Sequence, residues 1–260
     1  MFRDKTVLIT GASSGIGAAL ARRFARAGAR PLLVARRADR LAALAEELDT
    51  RSGKTVWISA DLVEAGACER VVREARREAG EIDILINNAG VGEYGRFVEQ
   101  RSDALERMMA LNMGAVVRLT HLVLPAMCDR GTGAIMNIAS TAAYQPTPYM
   151  AVYGATKAFV LSFSMAIWEE ARRRGVGVTC VCPGPVRTEF FDHGGFESRK
   201  AAFSRTGHDS EVIAELAYRQ LARGRAAYVP GLLNRIGAVL TRFAPLRIAT
   251  QASARLLRPK

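Results

Sequence analysis

The chain has 260 residues, of which 49% are hydrophobic and 24% are charged. These proportions are typical of globular proteins and exclude a largely disordered, collagen-like or fibrous chain. The 37 basic and 25 acidic residues give a formal net charge of +12. Such an excess suits nucleic acid or an anionic membrane, but the arginines are dispersed and no nucleic-acid motif accompanies them. We therefore predict a solvated basic surface and no nucleic-acid partner.

Four cysteines include no CxxC pair, and neither they nor the three histidines show the spacing of a metal site. This pattern favours a reduced, cytoplasmic protein without a metal. The first residues run directly into the apolar segment 7–9, which leaves no room for a signal peptide. Apolar stretches near 111–128 and 229–248 are interrupted by Arg or Pro, so we expect no membrane span.

Short β-rich segments alternate with longer segments of helical period, which indicates a parallel sheet covered by helices on both faces. No linker or boundary interrupts this pattern, so we predict a single α/β domain over 1–260. Within it, the loose stretch 186–210 is expected to be a substrate loop. The predicted strands lie near 5–10, 30–35, 54–59, 82–87, 133–139, 176–182 and 226–229.

A glycine-rich turn follows the first predicted strand, with the sequence Thr10-Gly11-Ala12-Ser13-Ser14-Gly15-Ile16-Gly17. Glycines there allow a tight turn, close packing of strand and helix, and the approach of a pyrophosphate to the helix N-terminus. A glycine-rich loop alone also serves ordinary turns. Its position between a strand and a helix favours dinucleotide binding.

The second predicted strand ends in Ala35-Arg36-Arg37, where a fold of this kind that binds NAD would carry an acidic residue. A carboxylate there would repel a 2′-phosphate, whereas a guanidinium can bind one with two hydrogen bonds. The pair therefore predicts NADP(H). The alternative is that the two arginines only begin a solvated helix, and the nearby carboxylate of Asp39 counts against a 2′-phosphate.

Tyr153 and Lys157 are four residues apart and fall on one face of a predicted helix. A cation beside the phenol is expected to lower the tyrosine pKa and make it a proton donor and acceptor near neutrality. The segment 87–90 (Asn-Asn-Ala-Gly) and Ser140 end the fourth and fifth predicted strands. Both therefore belong to the sheet edge where open α/β folds bind ligands.

With these motifs in this order, the sequence resembles the classical short-chain dehydrogenase/reductase family, through about residue 230. The resemblance implies one doubly wound Rossmann-type domain, and a catalytic set of Asn112, Ser140, Tyr153 and Lys157. It implies that Tyr153 protonates the substrate oxygen, and that Ser140 hydrogen-bonds the same oxygen. Lys157 would hold the nicotinamide ribose, and Asn112 would support a proton-relay water.

The resemblance also implies the cofactor contacts. Arg36 falls where NADP-preferring members carry a basic residue, although Ser14 stands where many of them carry a second one. Asp61 and Leu62 match the pair beside the adenine, and Asn88 matches a stabiliser of the central strand. The remaining expected cofactor-binding residues are Thr10, Gly11, Ser13, Gly15, Ile16, Gly17, Arg37, Ala89, Gly90, Pro183, Gly184, Val186 and Thr188, together with Tyr153 and Lys157.

These features predict an NADP(H)-dependent enzyme that interconverts a small-molecule carbonyl and a secondary alcohol. The family commonly forms homodimers or homotetramers through the helix of Phe159 and the preceding helix. A non-catalytic, nicotinamide-responsive regulator on the same fold is the alternative, but such a protein has no physical need for all four catalytic residues.

The tail 231–260 shows apolar residues at helical spacing between arginines, which predicts a basic amphipathic helix ending near Pro245. Two interpretations remain open. The tail packs on its own domain or a sister subunit, or it walls an apolar substrate site and touches an anionic membrane. The second would suit a reductase of lipid-like ketones or 3-oxoacyl groups, located in the cytoplasm or peripherally at a membrane.

Overall fold

The computed structural model describes residues 2–52, 55–197, 200–201, 205 and 207–259. Its strands are β1 (Thr6–Thr10), β2 (Arg30–Ala35), β3 (Val56–Ser59), β4 (Ile84–Asn87), β5 (Gly133–Ile138), β6 (Val176–Val181), β7 (Val186–Arg187), β8 (His208–Asp209) and β9 (Ala227–Tyr228). In the described part of the chain, parallel strands form a seven-stranded sheet of order β3-β2-β1-β4-β5-β6-β9. The predicted doubly wound α/β fold is confirmed.

The two remaining strands, β7 and β8, pair with each other and belong to the predicted substrate loop 186–210. That loop lies partly outside the described residues, as does the first residue of the predicted strand 54–59. The helices are α1 (Gly15–Arg26), α2 (Ala38–Ser52), α3 (Ala67–Ala79), α4 (Ser102–Met109), α5 (Val116–Arg130), α6 (Ala151–Arg172), α7 (Ser210–Ala222), α8 (Leu232–Phe243) and α9 (Leu246–Leu257).

The sheet is buried on both faces, as expected of parallel strands. Val7 and Ile9 of β1 face a cluster that includes Phe24 of α1, while Leu8 faces a second cluster with Val123 of α5. Each fully buried large apolar side chain contributes about 1.5–3 kcal/mol to folding. The core therefore explains the continuous apolar runs by which the strands were predicted.

Two helical stretches, Ser102–Arg130 and Ala151–Arg172, are long and apolar enough to cross a membrane on length and composition alone. Both pack against the sheet. They also carry three of the four predicted catalytic residues. Their apolar character is therefore explained by their place in the fold.

The strand order reverses at β1, which has β2 on one side and β4 on the other. Beyond the carboxyl ends of β1 and β4, the connections to the following helices leave in opposite directions. A crevice opens at such a switch point, and open α/β sheets bind their ligands there.

Candidate active site

A cavity of about 720 Å³ opens at this carboxyl edge. One end contacts the glycine-rich turn and Arg36, and the other contacts Tyr153 and the C-terminal helix α9. Almost every residue predicted from the sequence lines it. Thr10, Gly17 and Asn112 do not, and they lie behind the lining residues.

The glycine-rich turn is held by close contacts that exclude side chains. A Cβ at Gly17 would lie 2.2 Å from the carbonyl oxygen of Gly11. Gly15 has φ of +54°, and a Cβ there would lie 2.8 Å from Cγ2 of Thr188. Glycine is therefore required at both positions, and the segment after β6 closes directly onto the turn.

Helix α1 presents an open N-terminus to the cavity. Its N-cap residue, Ser14, makes no side-chain capping bond, and the first turn contains no acidic residue. Free N–H groups and the positive end of the helix dipole favour an anion at such a position.

Thr10 and Asn88 join β1 to β4 directly beneath the turn. Thr10 Oγ1 donates to the Ile86 carbonyl at 3.2 Å and accepts from the N–H groups of Asn88 and Ala89 at 3.0 and 3.1 Å. The Asn88 amide donates to the Thr10 carbonyl at 2.9 Å. These hydrogen bonds hold the carboxyl ends of β1 and β4 together at the switch point.

Arg37 is the centre of a polar cluster at the mouth of the cavity. Its guanidinium donates to Ser13 Oγ at 3.0 Å, to Ser14 Oγ at 2.8 Å and to the Glu189 carboxylate at 2.7 Å. Arg40 forms a second ion pair with Glu189. These guanidinium groups hold the pKa of the Glu189 carboxyl below its usual range. Sequence reasoning missed Glu189, since no local motif links it to residues about 150 positions away.

Arg36, the other predicted 2′-phosphate ligand, is exposed on the cavity rim. Near it, Asp61 forms an ion pair with Arg107 of α4 and accepts from the Val63 N–H at 3.2 Å. Burial raises the pKa of Asp61, but the hydrogen bonds from Arg107 and Val63 outweigh burial and leave the pKa lowered. Asp61 is therefore an anion at neutral pH. Arg107 also lines the cavity, and no local sequence motif links it to Asp61.

Tyr153, Lys157 and Ser140 meet at the inner end of the cavity. Helix α6 places Tyr153 and Lys157 one turn apart, both buried. Ser140, at the end of β5, hydrogen-bonds the Tyr153 hydroxyl. Lys157 Nζ donates to the Ile138 carbonyl at 3.0 Å. The spacing of Tyr153 and Lys157 in the sequence thus produces the predicted juxtaposition.

The predicted lowering of the Tyr153 pKa is wrong. Burial raises the pKa of Tyr153 to about 12, and the Ser140 hydrogen bond only partly opposes it. Burial also lowers the pKa of Lys157 to about 8. The phenol packs against Phe190, with ring centroids 5.5 Å apart, and Nζ lies 5.7 Å from the phenol centroid. Desolvation of the phenol therefore sets the direction in which the Tyr153 pKa departs from its ordinary value.

Asn112 lies in a π-helical segment, Ala110–Ala115, between α4 and α5. Its amide donates to the Val91 carbonyl at 2.9 Å and to Thr156 Oγ1 at 3.1 Å, and its Oδ1 accepts from the Val91 N–H at 3.0 Å. A Cβ at Gly90 would lie 3.2 Å from Asn112 Oδ1 and 3.4 Å from Lys157 Nζ. Asn112 thus ties the strand end after β4 to α6 beside the lysine.

The end of the cavity near Tyr153 and α9 also has an apolar wall, and the C-terminal tail contributes to it. Met150, Phe190 and Phe191 line it together with Leu256 and Leu257 of α9. The Tyr94 hydroxyl donates to the Leu257 carbonyl at 2.7 Å and so fastens the end of α9 to the loop after β4. Leu256 and Leu257 therefore form part of the cavity wall, and the binding of an apolar substrate beside them stays a prediction.

Cys180 and Cys182 are buried behind Lys157, with their sulfurs 3.8 Å apart. They belong to an apolar cluster with Val160. No group of three or more His, Cys, Asp or Glu side chains that could hold a metal lies in the described part of the chain.

The short chain dehydrogenase family matches residues 5–194, and the chain belongs to this family. A short-chain dehydrogenase from Sphingobium yanoikuyae in complex with NADPH superposes with a TM-score of 0.82 at 38% identity, over 92% of this chain and 93% of that one. A 3-ketoacyl-(acyl-carrier-protein) reductase from Brucella melitensis complexed with NADH gives 0.80 at 26% identity, over 88% and 98%.

Among curated relatives, the ketoacyl reductase HetN of Nostoc sp. (strain PCC 7120) is 36% identical over 182 residues, which is 70% of this chain. The matched region covers 63% of that relative and 61% of another. The chain thus spans about three-fifths of the length of these relatives.

Proposed function

We propose that the chain is an NADP(H)-dependent oxidoreductase that interconverts a carbonyl and a secondary alcohol. We further propose that it acts as a reductase of an apolar or lipid-like ketone or 3-oxoacyl compound. The observation that carries the proposal is the Ser140–Tyr153 hydrogen bond one helical turn from Lys157, in the same cavity as the glycine-rich turn.

The residues of the cavity fit a phosphorylated dinucleotide. The open N-terminus of α1, with Ser13 and Ser14 beside it, would hold the pyrophosphate. Arg36 and Arg37, directly after the carboxyl end of β2, would hold a 2′-phosphate. Asp61 and Leu62 would contact the adenine. When bound, the cofactor supplies the hydride.

At the end of the cavity near Tyr153, the cofactor contacts would come from two neighbouring segments. Lys157 and Tyr153 would contact the nicotinamide ribose. The segment after β6 would contact the nicotinamide itself through Pro183, Gly184, Val186 and Thr188. The NADPH complex of the Sphingobium relative supports this choice of cofactor, while the NADH complex of the Brucella relative makes NAD(H) the alternative to be tested.

Tyr153 would serve as the proton donor to the substrate oxygen. A phenol with a pKa of about 12 is fully protonated at neutral pH, so the donor is present before the reaction begins. The Ser140 hydroxyl has a single proton, which it would redirect from the Tyr153 oxygen to the carbonyl oxygen when substrate binds, and it would there stabilise the developing charge. Lys157, with a pKa of about 8, retains positive charge at neutral pH and would favour the phenolate left after proton transfer.

Asn112 would support return of the proton to Tyr153. Its Oδ1 converges with Lys157 Nζ on the backbone of Gly90. A water held by these groups would connect the lysine to solvent. We assign Asn112 this relay role because its amide is already committed to Val91 and Thr156 and therefore cannot swing into the cavity.

The apolar end of the cavity supports an apolar substrate. Aromatic and aliphatic side chains there would bury the apolar substituent of a ketone. The name of the ketoacyl reductase relative agrees with a 3-oxoacyl substrate.

For assembly, we propose a cytoplasmic homodimer or homotetramer through α6 and the helix before it. Exposed Phe159 and Met165 on α6 support this assembly.

NADPH oxidation measured against long-chain ketones, 3-oxoacyl thioesters, steroids, sugars and small ketones tests the proposal. We expect turnover with the apolar members of the panel. Tyr153→Phe should abolish turnover and keep the Kd of NADPH within a few-fold, because only the transferable proton is removed. Tyr228→Phe, outside the cavity, is the matched control. Reductase activity retained by Tyr153→Phe would remove that residue from the mechanism.

A further inference from the structure

Helix α8 packs on the protein with its small side and turns its large apolar side outward. Ala238 is 8% exposed and belongs to an apolar cluster with Val229 and Cys182. On the other side, Leu233 and Phe243 are 84% and 81% exposed. An amphipathic helix of a globular domain normally buries its apolar stripe. The orientation of α8 is the reverse.

The exposed stripe continues past Pro245 into the start of α9. We call it the tail face, and it consists of Leu232, Leu233, Ile236, Val239, Leu240, Phe243, Leu246 and Ile248, all exposed. Its α8 members fall within about a third of the helical circumference at 100° per residue. Exposed apolar side chains scattered singly are ordinary, whereas a contiguous patch indicates an interaction surface.

The charged residues of the segment that carries the tail face are all cationic. Residues 231–260 contain no Asp or Glu, and exposed Arg235 and Arg247 flank the stripe. The basic residues of this segment are Arg235, Arg242, Arg247, Arg255, Arg258 and Lys260. A partner must therefore offer negative charge and apolar surface together.

We propose that the tail face binds an anionic lipid bilayer, with α8 lying in the plane of the interface. A helix with apolar residues on one side and arginines beside them is suited to this position. A second copy of the chain would bring the same basic segment and a net charge of +12, so charge repulsion opposes pairing through this face. A nucleic acid would leave the apolar stripe in water.

The surface is linked to the cavity through α9. This helix begins in the tail face at Leu246 and ends at Leu257, which lines the cavity and accepts the Tyr94 hydrogen bond. A bilayer on the tail face would therefore lie on the same side of the protein as the apolar end of the cavity. The docking surface itself does not depend on the proposed reaction.

Sedimentation of the full chain with vesicles tests the inference. One set is pure phosphatidylcholine, and the other contains about a third phosphatidylglycerol. We expect binding to the anionic vesicles only, weakened by added salt. Leu233→Ser/Phe243→Ser should reduce binding at least tenfold. Arg235→Gln/Arg247→Gln should reduce it by about thirtyfold, since each of the two surface charges contributes roughly 1 kcal/mol of membrane attraction.

Phe97→Ser/Val98→Ser is the matched control, because these side chains are 60% and 89% exposed on a different element. It should bind vesicles like the original chain. Circular dichroism verifies that every variant is folded.

The inference is overturned by absence of binding to anionic vesicles, or by undiminished binding of the Leu233→Ser/Phe243→Ser variant. It is also overturned if the original chain is a dimer in solution and the Leu233→Ser/Phe243→Ser variant is a monomer, because the tail face would then bind a second copy of the chain. Because vesicle binding is measured without substrate, failure here leaves the proposed reaction unaffected.

Discussion

Arg37 and Glu189 form an ion pair of 2.7 Å across the mouth of the cavity, joining the end of β2 to the segment after β6. Both side chains are about two-fifths exposed, and Arg40 shares the same carboxylate. Arg37 is also one of the two side chains proposed to bind a 2′-phosphate. The carboxylate therefore competes with that phosphate for the same cation.

Replacing Glu189 with Gln should tighten NADPH binding by up to about fivefold, because an exposed ion pair contributes at most about 1 kcal/mol. Binding of NADH, which has no 2′-phosphate, should change little. Fluorescence titration with each cofactor measures both values. Glu99→Gln, which removes an exposed carboxylate of the Arg96 pair at 4.0 Å, is the control. Equal changes for NADPH and NADH would show that Glu189 does not compete with the phosphate.

Arg36→Ala should reduce the preference for NADPH over NADH by about 1–3 kcal/mol, the contribution of one charge-assisted hydrogen-bonding group. Steady-state kcat/KM with the two cofactors measures this preference. Arg37→Ala is the informative comparison, because Arg37 also supports Ser13 and Ser14: it should weaken NADH binding as well as reduce the preference for NADPH. An unchanged preference in Arg36→Ala, combined with a lost preference in Arg37→Ala, would leave Arg37 as the phosphate contact and exclude Arg36.

The sequence was sufficient to predict the strands and the glycine-rich turn because both depend on local rules. Apolar runs bounded by turn residues predict buried parallel strands, and the Tyr153–Lys157 spacing fixes their shared helix face. Contacts between distant segments have no such signature. Glu189 and Arg107 became part of the site only because the fold brings them to β2 and Asp61.

Two further properties were not predicted from the sequence: the side toward which α8 turns its apolar stripe, and the direction in which the Tyr153 pKa departs from its ordinary value. Helical period predicts that α8 is amphipathic, but the stripe alone does not reveal whether it faces the protein or solvent. Similarly, the Tyr153 pKa depends on desolvation, to which the aromatic packing of Phe190 contributes, and not only on the lysine four residues away. Both outcomes are determined by tertiary packing.

Buried Lys157 should make the protein less stable than it would be without that charge. A pKa of about 8 in place of the usual 10.5 corresponds to roughly 3 kcal/mol of destabilisation while the lysine is charged. Lys157→Met should therefore melt several degrees higher than the original chain at pH 6, although it should lose activity and cofactor affinity.

The pH dependence of this difference follows from proton binding. Between pH 8 and 10.5 the unfolded chain still holds the lysine proton while the folded chain has lost it, so the original chain gains stability as pH rises. The advantage of Lys157→Met should shrink across that range, as measured by thermal unfolding at each pH. Lys5→Met, at a side chain that is 42% exposed, should show no comparable gain. A constant advantage would mean that the charge of Lys157 is not its cause.

Removing α9 by ending the chain after Pro245 should reduce kcat/KM more for long apolar substrates than for short ones. Truncation deletes Leu256 and Leu257 from the cavity wall and releases the Tyr94 hydroxyl from its 2.7 Å bond. One buried leucine contributes about 1.5–3 kcal/mol of apolar contact, so kcat/KM for a long-chain ketone should fall at least tenfold more than for a short one. The substitution Leu257→Ser should reproduce this selective loss without removing the helix. Ile248→Ser, an exposed position on the same helix, should leave both substrates unaffected in lipid-free assays. Equal losses on long and short substrates would assign α9 a purely structural role.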